Sequence, residues 1–211
     1  MTVRLPSFSK TICPELRQLS KTVDLVLASG SPRRKQILTE LGLIFSILPP
    51  EIKEKIDSAM IPEELAVDLA CQKVLSLDHK SNRAYLSCDT IVVYQNQILT
   101  KPKDKNDALR ILKILSGQTH SVFTGLALLD GRTENCYNGV EESLVTFNNW
   151  DDEKLLEYIA TGEPMDKAGA YGIQGMGRFL VDTVKGNIDN VIGLPLVTLE
   201  KMAKRFMEPY V

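Results

Sequence analysis

The sequence predicts a mixed protein of the α/β or α+β class, on three observations. Apolar, β-branched runs such as "VDLVLA" at 23–28 and "AYLSCDTIVVY" at 84–94 have the composition of buried strands. Between such runs lie segments with helical apolar spacing, opened by proline or an acid and closed by glycine. The 211 residues contain no internal repeat and no low-complexity linker, so a short extension over 1–22 and one domain over 23–211 account for the chain.

The elements follow in order. After the strand at 23–28, Ser31 is placed to cap a helix whose first turn holds Pro32. Ile37, Leu38 and Leu41 give that helix its apolar face, and Gly42 ends it. "LIFSIL" at 43–48 reads as a short strand and is followed by a polar, charge-mixed loop. Pro62 opens a second helix, "PEELAVDLACQKVLSL". The strand at 84–94 turns through "QNQ" into "ILTKP", a hairpin. "DKNDALRILKILSG" is a third helix, with Asp104 or Asn106 near its start and Gly117 just past its end.

"HSVFTGLALLD" and "VEESLVTFNN" are strands on either side of the turn signal Asp130-Gly131. "DDEKLLEYIATG" is a helix with acids in its first turn, where they complement the dipole. "TGEPMDKAGAYGIQGMG" has five glycines in seventeen residues and reads as a loop with special backbone needs. "RFLVDTVKG" is a strand, and a last helix follows Pro195. Strand order does not follow from these patterns.

Composition removes several classes. A net charge of −2 provides no global basic field, so stable nucleic-acid binding and anionic membranes are not expected. No apolar run approaches a membrane span, and 1–21 lacks the apolar core of a secretory signal. Arg4, Lys10, Arg17 and Lys21 make that segment basic, but a short extension is the reading preferred over a transit peptide. The four cysteines, Cys13, Cys71, Cys88 and Cys136, are widely spaced, which points to reduced thiols in the cytoplasm. With only His79 and His120 there is no histidine-rich metal centre.

Two places carry chemistry on local grounds. In "ASGSPRR" the strand feeds a helix N-terminus, where unpaired N–H groups and Gly30 can cradle an anion. Ser29 and Ser31 add hydroxyls, and Arg33 and Arg34 add permanent charge. The alternative is a capped helix with solvated arginines, although arginines in a first turn oppose the dipole. Both readings stand at this level. Asp89, inside "LSCDTIVV", is costly to bury unless a cation compensates it. It reads either as a strand-end residue facing solvent or as a metal ligand or base. Taken singly, Lys73, Lys101 and Glu54 are ordinary surface residues, and His79 and His120 have no evident partner.

Together the motifs say more. "LASGSPRRKQIL", "CDTIVV", "LTKPKDKNDALRIL", "LSGQTHSVFTG" and "GEPMDKAGAYGIQGMG", in this order and spacing, resemble the Maf family of nucleoside triphosphate pyrophosphatases over about residues 23–205. The resemblance implies an elongated mixed central sheet flanked by helices, with two lobes around a cleft, related to inosine triphosphate pyrophosphatases. It also implies hydrolysis of a nucleoside triphosphate to the monophosphate and pyrophosphate with a divalent cation, Mg²⁺ or Mn²⁺, and a homodimer.

Position by position, Ser29, Arg33 and Arg34 match the signature loop. Asp89 matches the proton acceptor and Thr90 its neighbour. Glu54 matches the acid after the second strand, making it and Asp89 the implied metal ligands. Lys73 and Lys101 match the lysines that, with Arg33, hold the triphosphate. Asp166, Lys167 and Gln174 fall in the glycine-rich stretch, and Gln174 matches the branch selective for dTTP and UTP. An amide offers both donor and acceptor to an imide edge, whereas a carboxylate suits the N–H donors of guanine. Tyr171 is read as a core residue in preference to a stacking partner.

Ser87-Cys88 and Thr100 depart from the common family pattern without touching its charges. Modified pyrimidine triphosphates are a further substrate class the same pocket would accept. A nucleotide-binding regulator of cell division without turnover is the rival reading. Retention of Glu54, Lys73, Asp89 and Lys101 favours an enzyme over it.

Overall fold

The computed structural model describes residues 13–57 and 59–210. Its helices are α1 (Pro14–Thr22), α2 (Pro32–Glu40), α3 (Pro62–Leu75), α4 (Lys105–Leu115), α5 (Asp152–Ala160), α6 (Ile188–Ile192) and α7 (Leu196–Met207). Its strands are β1 (Asp24–Leu27), β2 (Ser46–Ile47), β3 (Arg83–Tyr94), β4 (Gln97–Leu99), β5 (Thr119–Asp130), β6 (Cys136–Phe147) and β7 (Val181–Lys185). The sheet runs β2-β1-β3-β5-β6-β7, with β4 paired to β3. It is mixed: β1 is parallel to β2 and β3, whereas β3–β4 and β6–β7 are antiparallel. The mixed α/β expectation therefore holds.

The described residues divide into two compact units, one over 13–57, 59–89, 124–141 and 193–210 and the other over 90–123 and 142–192. In the first, β1 enters the core because Leu25, Val26 and Leu27 are all buried, as a strand covered on both faces requires. Val26, Ala28, Ala70, Val74, Tyr85, Ala127 and Leu129 form one cluster between β1, α3, β3 and β5. Helix α3 lies so close to β5 that a Cβ on Gly125 would sit 2.0 Å from the Ala66 carbonyl oxygen. Only glycine permits that approach. In the second unit His120, Phe147 and Tyr171 meet edge to face with centroids 4.7–5.4 Å apart. Asn190 donates to Val122 O and Ser143 Oγ, both at 3.0 Å.

Several boundaries differ from expectation, each for a local reason. Of "LIFSIL" only Ser46–Ile47 is strand, exposed at the edge of the sheet, where no strand among the described residues continues the ladder. Helix α3 stops at Leu75. The strand at "RFLVDTVKG" begins only at Val181, because Met176–Leu180 winds into a 3₁₀ turn. Strand β6 starts at Cys136, earlier than its apolar run suggests.

Helices α1 and α6 were not expected. Helix α1 buries Leu16 and Leu19, spaced i, i+3, and packs on α7. Its free N-terminal amides at Glu15 and Leu16 donate to the Glu200 carboxylate at 2.7 and 3.0 Å, a cap supplied from the far end of the chain. No local pattern reveals such a partner. Residues 1–12 of the expected extension lie outside the described residues.

Candidate active site

In the first unit, the mouth of β1 braces itself. Ser29 is buried, and its Oγ accepts from Ser31 N at 3.2 Å and Arg34 Nη1 at 3.0 Å. Arg34 Nε donates to Gly193 O at 2.9 Å. Thus Arg34 ties the loop after β1 to the segment before α7. Arg33 is half-buried beside it on the first turn of α2, and Ser31 caps that helix without a side-chain hydrogen bond. The serine–arginine pair holds the loop's shape, so Arg34 is not the solvated side chain of the bare capped-helix reading.

Asp89 stands on β3 directly after the buried Cys88, and Lys73 stands in the last turn of α3. The Lys73 ammonium bonds the Asp89 carboxylate, lies 3.1 Å from Glu54 Oε1 and donates to Cys88 O at 3.4 Å. Lys73 and Asp89 side chains are 12% and 16% exposed and Glu54 37%, so the cluster is sheltered but open on the Glu54 side. Two carboxylates share one cation, leaving one negative charge in excess. The cost of placing Asp89 in an apolar strand is thereby met by Lys73. Burial pushes the neighbouring Cys88 thiol up.

Glu54 comes from an irregular loop, and its placement has a cause that sequence reading missed. Gln72 Nε2 donates to Lys55 O and Lys55 N donates to Gln72 Oε1, both at 2.9 Å. This two-way amide clamp fixes the backbone next to Glu54, and Gln72 Nε2 also donates to Asp68 Oδ2. Gln72 directly precedes Lys73, so one turn of α3 sets both the lysine and its loop acid. The signal available was only a glutamine in a helix, which is indistinct.

In the second unit the glycine-rich stretch is organised by Glu163, also missed. Its carboxylate accepts from Met176 N at 2.7 Å, Gly177 N at 3.1 Å and Tyr158 Oη at 2.9 Å. Partial burial works to raise the Glu163 carboxyl, but these donors outweigh it and hold the group below its ordinary value. Tyr158 is pushed up, first by burial and then by its bond to Glu163. Lys167 Nζ donates to Glu163 O and Asp166 Oδ1, both at 2.6 Å. Gln174 is half-buried in the same stretch. Tyr171 is buried, as expected of a core residue, and its hydroxyl meets His120 Nε2 at 2.9 Å. Lys101 is exposed just past β4, and Thr90 is half-buried on β3.

The structure therefore brings Glu54, Lys73 and Asp89 together in one unit, and Asp166, Lys167 and Gln174 along one braced loop in the other. Among the described residues no three His, Cys, Asp or Glu side chains form a metal-binding group. None of the described helices is long and apolar enough to cross a membrane.

The first unit thus holds both an acid–lysine–acid cluster and a braced basic loop from strand to helix. A family profile described as "Maf-like protein" matches residues 24–206, and the chain belongs to the Maf family. It is 45% identical over 177 residues to a dTTP/UTP pyrophosphatase of Alkaliphilus oremlandii (strain OhILAs), covering 83% of this chain and 92% of that protein. A dTTP/UTP pyrophosphatase of Dictyoglomus turgidum is 40% identical over 185 residues, covering 87% and 96%. Among solved structures, a nucleoside-triphosphatase / dITP/XTP pyrophosphatase of Mycobacterium abscessus overlays with a TM-score of 0.46. That overlay has 13% identity and covers 86% of this chain and 94% of that one, a likeness too loose to carry an argument.

Proposed function

We propose that this protein is a nucleoside triphosphate pyrophosphatase that hydrolyses dTTP and UTP to the monophosphate and pyrophosphate. The observation that carries the reading is the sharing of Lys73 by Glu54 and Asp89, in a chain 40–45% identical over most of its length to proteins named for that activity. Cleaving a phosphoanhydride asks the protein to position a water and to compensate charge, with little covalent work.

Asp89 is assigned as the acceptor of the proton from a water attacking the α-phosphorus. Pyrophosphate leaves with the electrons of the broken P–O bond. A positioned base of this kind contributes about 10²–10⁴-fold. Arg33, Lys73 and Lys101 are assigned to the triphosphate oxygens, each charge-assisted contact worth about 1.5–3 kcal/mol. Ser29 and Arg34 keep the loop after β1 in the shape that presents Arg33. Thr90, Lys167 and Gln174 are assigned to the nucleoside, with the Gln174 amide reading the imide edge of uracil or thymine.

The residues fit a hard divalent cation. Glu54 and Asp89 already gather around one positive group, and two carboxylates are what Mg²⁺ takes when phosphate and water supply its remaining ligands. Mg²⁺ or Mn²⁺ bound there would neutralise phosphate charge and polarise a phosphoryl oxygen. Residues 23–211 are assigned to one catalytic domain following an extension over 1–22. Four cysteines, none of them in a disulfide, support a reducing, cytoplasmic setting. The exposed Ile44, Ile47 and Leu48 at the sheet edge support a homodimer.

The test is a panel of triphosphates, natural and 5-substituted, assayed for pyrophosphate release with Mg²⁺ and Mn²⁺ by the protein and its Gln174→Glu variant. We expect dTTP and UTP to lead, with equimolar monophosphate, and the variant to lose about tenfold of that preference. Release of orthophosphate, or no turnover of any triphosphate, overturns the activity. An unchanged profile in the variant overturns the role of Gln174.

A further inference from the structure

One ammonium in the first unit is claimed twice. Lys73 Nζ bonds the Asp89 carboxylate, lies 3.1 Å from Glu54 Oε1 and donates to Cys88 O at 3.4 Å. Two carboxylates and a backbone carbonyl are also the kind of oxygens that a hard divalent cation takes. The same nitrogen is assigned to the triphosphate, and it cannot serve both sets of oxygens at once.

The two acids do not depend on the lysine for their places. Asp89 is carried by β3, and the loop of Glu54 is held through Lys55 by the two-way clamp of Gln72. Lys73 reaches them on a long flexible stem from the last turn of α3. Compensating the sheltered Asp89 needs only one cation for one acid. Glu54 is 37% exposed against 12% for Lys73, so water already solvates it and it gains little from the pairing. A second, fixed acid therefore exceeds what a structural ion pair requires.

We propose that Lys73 is a built-in competitor that closes the Glu54–Asp89 pair to divalent cations in the nucleotide-free protein. The inference rests on the proposed reading of Glu54 and Asp89 as the cation's ligands. With Lys73 in place the pair keeps a single uncompensated charge, and with Lys73 withdrawn both carboxylates are free to bind. The triphosphate oxygens offer the ammonium its other partner, and its departure leaves two fixed acids behind. Nucleotide and cation thus favour each other at this site, and the cation does not load first.

Mn²⁺ alone is the probe, its binding to the full chain without nucleotide read from the loss of the free-ion electron paramagnetic resonance signal. We expect the parent to bind it weakly, and Lys73→Met and Lys73→Gln to bind it about ten- to hundredfold more tightly with unchanged circular dichroism. Adding Asp89→Asn to Lys73→Met should remove the gain, and Lys73→Arg, which keeps the charge, should stay near the parent. Affinity in both neutral variants equal to or below the parent's overturns the closure, as does a gain that survives Asp89→Asn. Micromolar binding by the parent overturns it with no variant needed, so a variant that fails to fold does not protect the idea. Mn²⁺ bound by none of these proteins overturns the cation-ligand assignment as well. Turnover is assayed separately. A parent that cleaves no triphosphate overturns the pyrophosphatase reading alone, because the Mn²⁺ comparison uses no nucleotide.

Discussion

Lys73 and Glu163 have opposite charges and opposite surroundings. The Lys73 ammonium is shared by two carboxylates, one of them more than a third exposed, so that cluster is left with a charge to spare. The Glu163 carboxylate is held by two backbone amides and a tyrosine hydroxyl, so its acceptors are satisfied within the protein. The first arrangement is made by side chains from a helix, a strand and a clamped loop, and it is the one to which the proposed function assigns a cation and a polyanion. The second is made largely from backbone and gives shape to a glycine-rich loop. Under the proposed function, chemistry is assigned to the unbalanced cluster and selectivity to the loop that the balanced one shapes. The largest effects are expected where the imbalance is altered.

Asp89→Asn is the strongest way to test that division. It removes the assigned proton acceptor and half of the acid pair while leaving a side chain of the same shape against Lys73. We expect kcat to fall by about 10²–10⁴-fold, with nucleotide affinity within a few-fold of the parent, read by pyrophosphate release and by equilibrium binding. A parental rate would strip Asp89 of its assignment and leave the shared lysine as a structural ion pair.

Gly175→Ala tests the other side. A Cβ there would stand 2.3 Å from Glu163 Oε2, so the carboxylate must move and release Met176 N and Gly177 N. Losing those charge-assisted bonds costs about 1–3 kcal/mol. We expect KM for dTTP and UTP to rise about tenfold while kcat changes much less, with a lower unfolding midpoint. Unchanged KM and midpoint would show that Glu163 does not set the loop.

The same contrast explains what could be read from the sequence. Asp89 was legible because a carboxylate in "CDTIVV" contradicts its neighbours, and Arg33-Arg34 because they oppose a helix dipole. The glycine density of 161–177 announced unusual backbone, yet not the acid that shapes it. Glu163 acts on amides 13 and 14 residues away, and no periodicity encodes that distance. Gln72 is equally silent, since its clamp on residue 55 exists only after α3 and the loop have met. Helix α1 depends on Glu200 for its first amides, which is why its leucines alone did not predict it. Elements bounded by local caps, such as α4 with Asp104 accepting from Asp107 N, were read correctly. Elements completed by distant partners were not.

The smallest effect concerns the buried end of that loop. His120 is 2% exposed against Phe147 and Tyr171, its Nδ1 has no hydrogen-bond partner among the described residues, and burial pushes its pKa down to about 3. In the unfolded chain the same imidazole takes a proton near pH 6.5. Between those values the unfolded state binds more protons than the folded one, so stability is full above pH 6.5 and falls as the pH drops toward 3. The slope is up to about 1.4 kcal/mol per pH unit, which gives about 2 kcal/mol between pH 6.5 and 5. Urea unfolding at pH 7 and pH 5 should show that loss in the parent, and His120→Gln should lose less over the same interval. Carboxylates titrate in both proteins, so the difference between the two losses isolates the histidine. Equal losses would mean that Tyr171 is held in place without any cost of keeping His120 neutral.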